Sequence, residues 1–161
     1  HVQIPLTCNF YEGTIDVDIA AERNIYADES VRAFAGIAFR KQSNTQYDMV
    51  YLRETNGQLN EVVPPGERIN RAIQYVSVPK WDFDVLRTQF PGKYEAGAPI
   101  AEKRWSHLRL VIKNNTISAS VDGKPIFNQI QLLEKNPAGS IAYWVGDGTD
   151  AYFSNLRIRK F

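Results

Sequence analysis

Ile15-Asp16-Val17-Asp18-Ile19 is the stretch that decides the fold, because apolar and acidic residues alternate along it without a break. Successive side chains of a β-strand point to opposite faces, so the alternation predicts a strand with one face in a core and the other in solvent. The same pattern recurs in Ile117-Ser118-Ala119-Ser120-Val121. The dominant period of the sequence is therefore two, which favours an all-β fold.

Residues typical of tight turns separate the strand-like segments. Asn114-Asn115 lies between predicted strands at residues 105–113 and 116–122, and Asp122-Gly123 follows the second of them. Asparagine, aspartate and glycine tolerate the positive φ that short hairpin connections need. The sequence thus predicts consecutive antiparallel hairpins in this half of the chain.

The remaining regular structure is also predicted to be mainly β. Strands are expected at residues 140–145 and 151–160, and no window of 11 or more residues shows a convincing helical stripe. A short helical turn is predicted near residues 131–135. Residues 55–71, which contain Pro64-Pro65-Gly66, are expected to form a long loop, and such loops on rigid sheets often carry function.

Length and charge set the frame for the function. The 161 residues suit a single domain over residues 1–161, which would bury roughly 70% of its unfolded surface. With 19 Lys and Arg against 18 Asp and Glu, the net charge of +1 indicates no nucleic-acid or anionic-membrane partner. No apolar run approaches the roughly 20 residues that span a bilayer.

Location and covalent cross-linking are inferred from the same composition. Residues 1–20 lack the charged start and continuous apolar stretch of a signal peptide. We expect a secreted or periplasmic domain, from which any such signal has been removed. The single cysteine, Cys8, excludes an intramolecular disulfide, so packing must hold the fold together. The sequence makes no prediction of the oligomeric state.

Polar and aromatic residues interrupt three segments that otherwise consist of core residues. They are Arg40, Tyr51, Arg53, Gln74 and Tyr75. Strand alternation gives such segments one apolar face and one face that carries arginine and tyrosine. Their recurrence on several strands predicts a binding face on a sheet, and an ordinary solvated sheet face is the alternative.

Segments along most of the chain resemble one known fold family. They are Gly36-Ile37-Ala38-Phe39-Arg40, Tyr51-Leu52-Arg53, Ile73-Gln74-Tyr75, Gly92-Lys93-Tyr94-Glu95, Trp105, Val121-Asp122-Gly123, Gly139-Ser140-Ile141 and Ala151-Tyr152-Phe153-Ser154-Asn155-Leu156. Together they resemble the concanavalin A-like lectin/glucanase jelly roll. Within that superfamily they are similar to laminin-G-like domains of bacterial carbohydrate-utilisation proteins, such as fructan-binding modules and 3-keto-disaccharide hydrolase-like domains. The resemblance implies an antiparallel jelly-roll sandwich of two curved sheets, with ligands bound on the concave sheet or at its rim.

The resemblance also implies which residues bind the ligand. The floor residues are Arg40, Tyr51, Arg53, Gln74 and Tyr75, and the rim residues are Tyr94, Glu95 and Trp144. Aromatic rings present an apolar face to sugar C–H groups, while guanidinium, amide and carboxylate groups pair with vicinal hydroxyls. The first hypothesis is therefore a non-catalytic carbohydrate-binding domain that holds one or two units of an oligosaccharide or polysaccharide.

Structural roles for the same residues stay open at this point. For the three aromatic residues Tyr51, Tyr75 and Trp144 the alternative is core packing with a satisfied polar tip. For the two arginines it is burial in ion pairs with nearby acids, which are Asp48, Glu54 or Glu95. A buried Gln74 would need a partner in the protein or the ligand, because an unpaired buried amide costs about 1–3 kcal/mol.

Two other classes of function are kept as hypotheses. A glycan-cleaving, glycoside hydrolase-like enzyme needs two carboxylates, and the loop acids Asp82, Asp84 and Glu95 are the candidates, although no motif assembles them. The third hypothesis is a structural or protein-binding sandwich in which the arginine and tyrosine face meets another chain.

No cofactor is required by the predicted binding chemistry. Gly146-Asp147-Gly148-Thr149-Asp150 has oxygen ligands suited to a structural calcium ion, with Asp16 or Asp18 as a further ligand, and a tight turn is the alternative. The two histidines and one cysteine form no cluster with zinc-site spacing.

Overall fold

The computed structural model describes residues 1–6 and 9–161. The side chains of Thr7 and Cys8 lie outside the described part, and so does the prediction that Cys8 forms no intramolecular disulfide. The strands are β1 (Val2–Phe10), β2 (Gly13–Arg23), β3 (Phe34–Lys41), β4 (Tyr47–Arg53), β5 (Ile73–Val78), β6 (Glu95–Ala96), β7 (Ser106–Lys113), β8 (Thr116–Val121), β9 (Lys124–Gln131), β10 (Gly139–Val145) and β11 (Thr149–Lys160). A short helix, α1 (Phe83–Gln89), and the 3-10 turns Glu54–Asn56 and Gly66–Asn70 lie in the connections.

The strands form two antiparallel sheets. The six-stranded sheet has the order β1-β10-β3-β4-β5-β6, and the five-stranded sheet has the order β11-β2-β7-β8-β9. Neither sheet closes on itself, and both contribute buried residues to one shared core. The architecture is the all-β, two-sheet antiparallel jelly-roll sandwich that the alternating pattern and the resemblance predicted.

One aromatic contact between the sheets identifies the inner face of the six-stranded sheet. Tyr143 of β10 stacks on Phe153 of β11, with the ring centroids 4.0 Å apart. Tyr143, Ile37, Val50 and Tyr75 are successive register partners across β10, β3, β4 and β5. Register partners share a face, so all four point into the core, and the residues next to them in sequence point outward.

The outer faces of the two sheets are covered to different degrees. On the five-stranded sheet, β7 and β8 alternate buried residues with more exposed ones, as predicted for 116–122. On the six-stranded sheet, every residue of β4 is buried. Helix α1 explains part of this burial, since its Phe83 ring lies 5.7 Å from the guanidinium carbon of Arg53 on the outer face. The candidate site thus lies on a partly covered sheet face.

The connections agree with the sequence predictions in part. Positive φ values of 52° at Asn114 and 58° at Asn115 form the predicted hairpin between β7 and β8. The predicted helical turn at residues 131–135 is not formed, because β9 continues to Gln131 and irregular backbone follows. Helix α1 was not predicted. It begins where the Asp82 carboxylate accepts a hydrogen bond from the Phe83 amide at 2.7 Å.

Strand β11 forms one edge of the five-stranded sheet and runs for 12 residues. Its pairing with β2 shifts register between Ser154 and Arg157, and Asn155 in this bulge has φ of 54°. Arg157 and Arg159 are exposed along the second half of the strand. None of the helices among the described residues has the length and hydropathy needed to cross a membrane.

Candidate functional site

Backbone pairing gathers four of the predicted site residues into one row on the outer face of the six-stranded sheet. Trp144 pairs with Gly36, Gly36 with Tyr51, Tyr51 with Gln74, and Gln74 with Glu95. Each pair belongs to adjacent strands from β10 to β6, so the row crosses nearly the whole sheet. Residues that are far apart in sequence therefore lie side by side because of strand register.

Gly36 allows two aromatic rings to meet across the strand that separates them. The Trp144 and Tyr51 ring centroids are 5.7 Å apart, and the Phe34 ring lies 5.3 Å from the Tyr51 ring. A Cβ added at Gly36 would lie 2.6 Å from the Tyr51 Cβ, so only glycine fits at this position. We call Phe34, Tyr51 and Trp144 the aromatic platform.

The exposed part of the aromatic platform is formed by Trp144 and Phe34, because Tyr51 is buried beneath them at 3% exposure. The Trp144 Nε1–H donates a hydrogen bond to the Tyr47 hydroxyl at 3.1 Å, which fixes the indole ring. Burial raises the pKa of Tyr51 to about 12, so its hydroxyl stays protonated at neutral pH.

Arg53 and Gln74 form a hydrogen-bonded layer beneath the surface. The Arg53 Nη2 donates to the Tyr51 hydroxyl at 2.9 Å and to the Gln74 Oε1 at 3.2 Å. The Gln74 Nε2 donates to the backbone oxygens of Tyr75 and Tyr94, at 2.9 and 3.2 Å. The side-chain amide of Gln74, which the sequence predicts to need a partner in the protein or the ligand, therefore has protein partners at both its oxygen and its nitrogen. Burial lowers the pKa of Arg53, but an arginine stays charged at neutral pH.

Glu95 links this buried layer to the surface. Its carboxylate lies 3.9 Å from Arg53 Nη1, 3.2 Å from Arg71 Nε and 2.9 Å from Arg87 Nη2. The Arg71 and Arg87 side chains are 32% and 29% exposed, whereas Glu95 is 9% exposed. The ion-pair alternative for Arg53 is therefore found, and the same carboxylate holds two further guanidinium groups where a ligand can reach them.

A cavity of about 340 Å³ opens beside the aromatic platform. Phe34 and Trp144 form part of its wall, and the His1 ring stacks on Trp144 with the ring centroids 5.0 Å apart. Polar groups come from Ser30, Arg32 and Asp147. Binding sites for small ligands commonly combine apolar walls with a few polar groups in a cavity of this size. The surface can therefore hold a ligand that has both an apolar face and hydrogen-bonding groups.

Tyr75 does not share the face of Gln74, although both were assigned to one floor. Adjacent strand residues point to opposite faces, and the Tyr75 ring lies in the core. Its hydroxyl donates to the Asp48 carboxylate at 2.5 Å and accepts from the Leu133 amide at 3.1 Å. Burial and the Asp48 charge raise the pKa of Tyr75 well above its usual range.

Tyr94 and Arg40 are also placed away from the row. The Tyr94 hydroxyl donates to the Gln131 backbone oxygen of the opposite sheet at 3.0 Å. Arg40 is fully buried near the far end of β3, where its Nε donates to the Tyr11 backbone oxygen at 2.8 Å and its guanidinium covers the Tyr11 ring. The face placement expected for these residues is corrected, and the ligand-binding roles assigned to all eight residues stay predictions.

The sequence did not predict the residues that form the solvent-accessible part of this face. Phe34 pairs with Arg53 in register, so the alternation of β3 contained the signal that places it on the outer face. Arg71 precedes β5, and Phe83 and Arg87 belong to α1, where no strand pattern could indicate their direction. Seven helical residues are too few to produce a clear period of 3.6.

The loop acids of the enzyme hypothesis have structural partners. Asp82 caps α1, and the Asp84 carboxylate accepts from the Val85 amide at 2.9 Å. Glu95, the third acid of that set, is occupied by three guanidinium groups. Asp82 and Asp84 thus contact the first turn of α1, Glu95 pairs with arginines, and the enzyme hypothesis stays a prediction.

The acids considered for calcium also have protein partners. The His107 ring contacts Asp16 at 2.8 Å and Asp18 at 2.7 Å, and Asp150 accepts from the Asn24 side chain at 3.0 Å. In the part of the chain that the structure describes, no group of three or more His, Cys, Asp or Glu residues could hold a metal ion. The structural calcium ion stays a prediction.

Comparison with known proteins identifies the fold. No protein-family model matches the chain, and no curated protein sequence matches it. Among solved structures, a galectin-like protein of unknown function from Bacillus subtilis superimposes with a TM-score of 0.60 at 11% identity, covering 98% of this chain and 76% of that one. The fold is a galectin-like jelly-roll sandwich.

Two further similar structures have names that refer to carbohydrate binding or to galectins. The carbohydrate-binding module CBM66 from Bacillus subtilis has a TM-score of 0.58 at 12% identity, with 94% of this chain and 75% of that one covered. A variant of human galectin-16 has a TM-score of 0.57 at 11% identity, with 100% and 97% covered. At these identities the similarity shows the fold and not the ligand.

Proposed function

We propose that this protein is a carbohydrate-binding domain that holds one or two sugar units on the outer face of the six-stranded sheet. The observation that carries the proposal is the aromatic platform, in which the Tyr51 and Trp144 rings are in contact across Gly36. The platform lies next to the guanidinium groups that pair with Glu95. The module and galectin names among the similar structures support the same class of ligand.

The chemistry of the face suits a saccharide. A sugar ring has an apolar side of C–H groups, which packs on a partly exposed ring such as Trp144 or Phe34. Its hydroxyls pair with guanidinium donors, and Arg71 and Arg87 place such donors at the surface. In this proposal Tyr51, with the buried network beneath it, supports these groups and does not itself touch the sugar.

The expected affinity is modest. A site of one or two sugar units often binds near 1 mM, about −4 kcal/mol. Repeated sites or an attached catalytic domain would raise the effective affinity by keeping the module near its polysaccharide. We therefore expect the domain to act together with repeated sites or with an attached catalytic domain.

The test is a glycan array followed by titration calorimetry and a reducing-sugar assay with the same glycan. Trp144→Ala should weaken binding at least about tenfold, because it removes the main stacking surface. Trp105→Ala is the matched control, since Trp105 is 52% exposed and precedes β7 of the other sheet. Binding lost only in Trp144→Ala, without released sugar, supports the proposal.

Other results would overturn it in distinct ways. Release of reducing sugar would favour the glycan-cleaving enzyme. Absence of binding to every glycan, with a pull-down of another chain that Trp144→Ala abolishes, would favour the protein-binding sandwich. Unchanged binding in Trp144→Ala would place the sugar elsewhere on the molecule, and equal loss in both tryptophan variants would remove Trp144 as the specific contact.

A further inference from the structure

A second cavity, of about 250 Å³, adjoins the aromatic platform on the other side of Phe34 and carries an unusual concentration of positive charge. Its wall includes Arg32, Arg53, Arg68, Arg71 and Arg87, which are five of the eleven arginines in the sequence. No acidic residue lines it. We call it the arginine pocket.

Three of the five arginines of the arginine pocket share one carboxylate, and the other two form no ion pair with any described residue. Glu95 lies behind it and pairs with Arg53, Arg71 and Arg87. Arg32 and Arg68 donate instead to neutral acceptors, a backbone oxygen and the side chains of Asn56 and Thr55. The five guanidinium groups and Glu95 carry a formal charge of +4 (five positive charges minus one) in a protein whose net charge is only +1. The other nearby acids, Glu29, Glu61 and Glu102, line an adjoining cavity that Arg32 and Arg68 share.

Like charges held together at partial burial oppose folding, and an anionic ligand removes that cost. Burial, followed by the nearby charges of Arg32 and Arg23, lowers the pKa of the Arg68 guanidinium. Neither Arg32 nor Arg68 pairs with Glu95, so the need to position Glu95 does not explain their presence in the arginine pocket. The surplus charge therefore points to a ligand rather than to support of the sheet.

The geometry of the walls narrows the chemistry of that ligand. Planar guanidinium groups bind carboxylate and sulfate oxygens through paired N–H donors. The Phe34 and Phe83 rings also line the arginine pocket and offer apolar surface to C–H groups. Arg32 and Phe34 line both the arginine pocket and the cavity beside Trp144, so one chain can extend across the two.

We propose that the domain selects saccharides that carry an oxyanion, either a uronate carboxylate or a sulfate ester, with the charged unit in the arginine pocket and its neighbour on the aromatic platform. The inference rests on the carbohydrate binding proposed above and names its substrate class. The small net charge and the confined size of the arginine pocket favour a discrete anionic group over a long nucleic-acid backbone.

Matched pairs of oligosaccharides test the inference by titration calorimetry in about 150 mM NaCl, where long-range attraction is screened. One pair is oligogalacturonate and the same oligosaccharide reduced at its carboxyl groups. The other is a sulfated galactan oligosaccharide and its desulfated form. The acidic member of at least one pair should bind roughly tenfold more tightly or better, because charge-assisted hydrogen bonds are gained. The pair that shows the preference identifies the oxyanion.

Arginine variants connect the preference to the arginine pocket. Arg68→Gln and Arg32→Gln should each reduce the acidic-to-neutral ratio at least about threefold, since neither residue pairs with Glu95 and both should leave the fold intact. Arg104→Gln is the matched control, because Arg104 is exposed and lies outside the arginine pocket. Circular dichroism of each variant verifies folding.

The results that oppose the inference differ from those that oppose carbohydrate binding. Equal affinity for both members of each pair would overturn the selection of oxyanions and leave carbohydrate binding intact. Preference that persists in Arg68→Gln and Arg32→Gln would move the anion to another site and overturn the assignment. Binding of inorganic sulfate or of DNA, with no saccharide of any form bound, would overturn both proposals.

Discussion

The Arg87 guanidinium donates to both carboxylate oxygens of Glu95, with Nε 3.0 Å from Oε1 and Nη2 2.9 Å from Oε2. Arg87 belongs to α1 and Glu95 to the two-residue strand β6. The pair therefore fastens the helix to the edge strand of the six-stranded sheet. Since α1 also supplies Phe83 to the arginine pocket, the shape of the candidate site depends on this contact.

Removing the Glu95 charge should destabilise the fold. Glu95→Gln keeps the size of the side chain but leaves Arg53, which is 5% exposed, without a nearby anion. We expect the free energy of unfolding to fall by about 1–3 kcal/mol, a limited loss because Arg71 and Arg87 are partly solvated. Urea denaturation measures it. Glu61→Gln, at an exposed position, is the control and should change stability by less than about 0.5 kcal/mol; equal stability of the two variants would contradict the prediction.

A methyl group at Gly36 should disrupt the aromatic platform. Gly36→Ala brings its Cβ within 2.6 Å of the Tyr51 Cβ, so the strand or the ring must move. We expect a loss of about 1–3 kcal/mol in unfolding free energy and a changed near-ultraviolet circular dichroism signal from Trp144 and Tyr51.

Gly66→Ala serves as the comparison for this variant. A Cβ at Gly66 meets no atom within 4 Å, so its cost of about 1–2 kcal/mol comes only from φ of 58°. The near-ultraviolet signal should stay unchanged in Gly66→Ala. The same spectrum in both variants would show that the rings do not depend on the glycine between them.

The Asp16–His107–Asp18 cluster should make stability depend on pH. Burial opposes protonation of His107, but hydrogen bonds to Asp16 and Asp18 outweigh it and raise the pKa above its ordinary value of 6.5. The folded state then binds the proton more tightly than the unfolded state, so the stabilisation is complete below about pH 6.5 and is lost as pH rises through the folded value. Tm measured across this window should fall with pH, and His107→Gln should remove that part of the decline. A decline of the same size in His107→Gln would assign it to other groups.

Glu54 should make the stability of the fold depend on pH in a lower range than His107 does. Both of its carboxylate oxygens are buried without a hydrogen-bond partner, and burial, followed by the charges of Glu102 and Asp122, raises its pKa well above 4.5. Ionisation in the folded state is therefore unfavourable, and stability should decline as pH rises above about 4.5 towards the folded value.

The variant Glu54→Gln tests this effect, because glutamine has no proton to lose. Relative to the unmodified protein, Glu54→Gln should gain stability between pH 5 and pH 8, by an amount that grows with pH. Urea denaturation at several pH values measures the difference. A difference between the two proteins that stays constant with pH would contradict a protonated Glu54.

The strands and the all-β class could be predicted because alternation is a local property of the chain. Ile15, Val17 and Ile19 of β2 are fully buried as the alternation predicts, although Asp16 is also buried and Asp18 is half-buried. The asparagine hairpin follows from the tolerance of that residue for positive φ. The order of the strands could not be predicted, since partners such as Trp144 and Gly36 are more than 100 residues apart. No local pattern specifies a pairing of that kind.

The candidate site was predicted in part for the same reason. Tyr51 and Arg53 share a face because they are two residues apart in one regular strand. The alternation misplaces Arg40, because the pairing of β3 with β10 shifts near it and its φ is 46°, so the simple period ends there. The resemblance places both Gln74 and Tyr75 on one floor. Adjacent residues of a strand face opposite ways, so the period of two already contradicts that placement.

The bulge and the arginines of β11 also affect how copies of the protein meet. An unpaired edge of 12 residues is a template on which another strand could add by main-chain hydrogen bonding. Here the backbone departs from a flat ribbon at Asn155, and Arg157 and Arg159 carry charge along the rest of the edge. Two such edges carry the same charge and are bent at the bulge, so we expect this border of the sandwich to disfavour edge-to-edge aggregation.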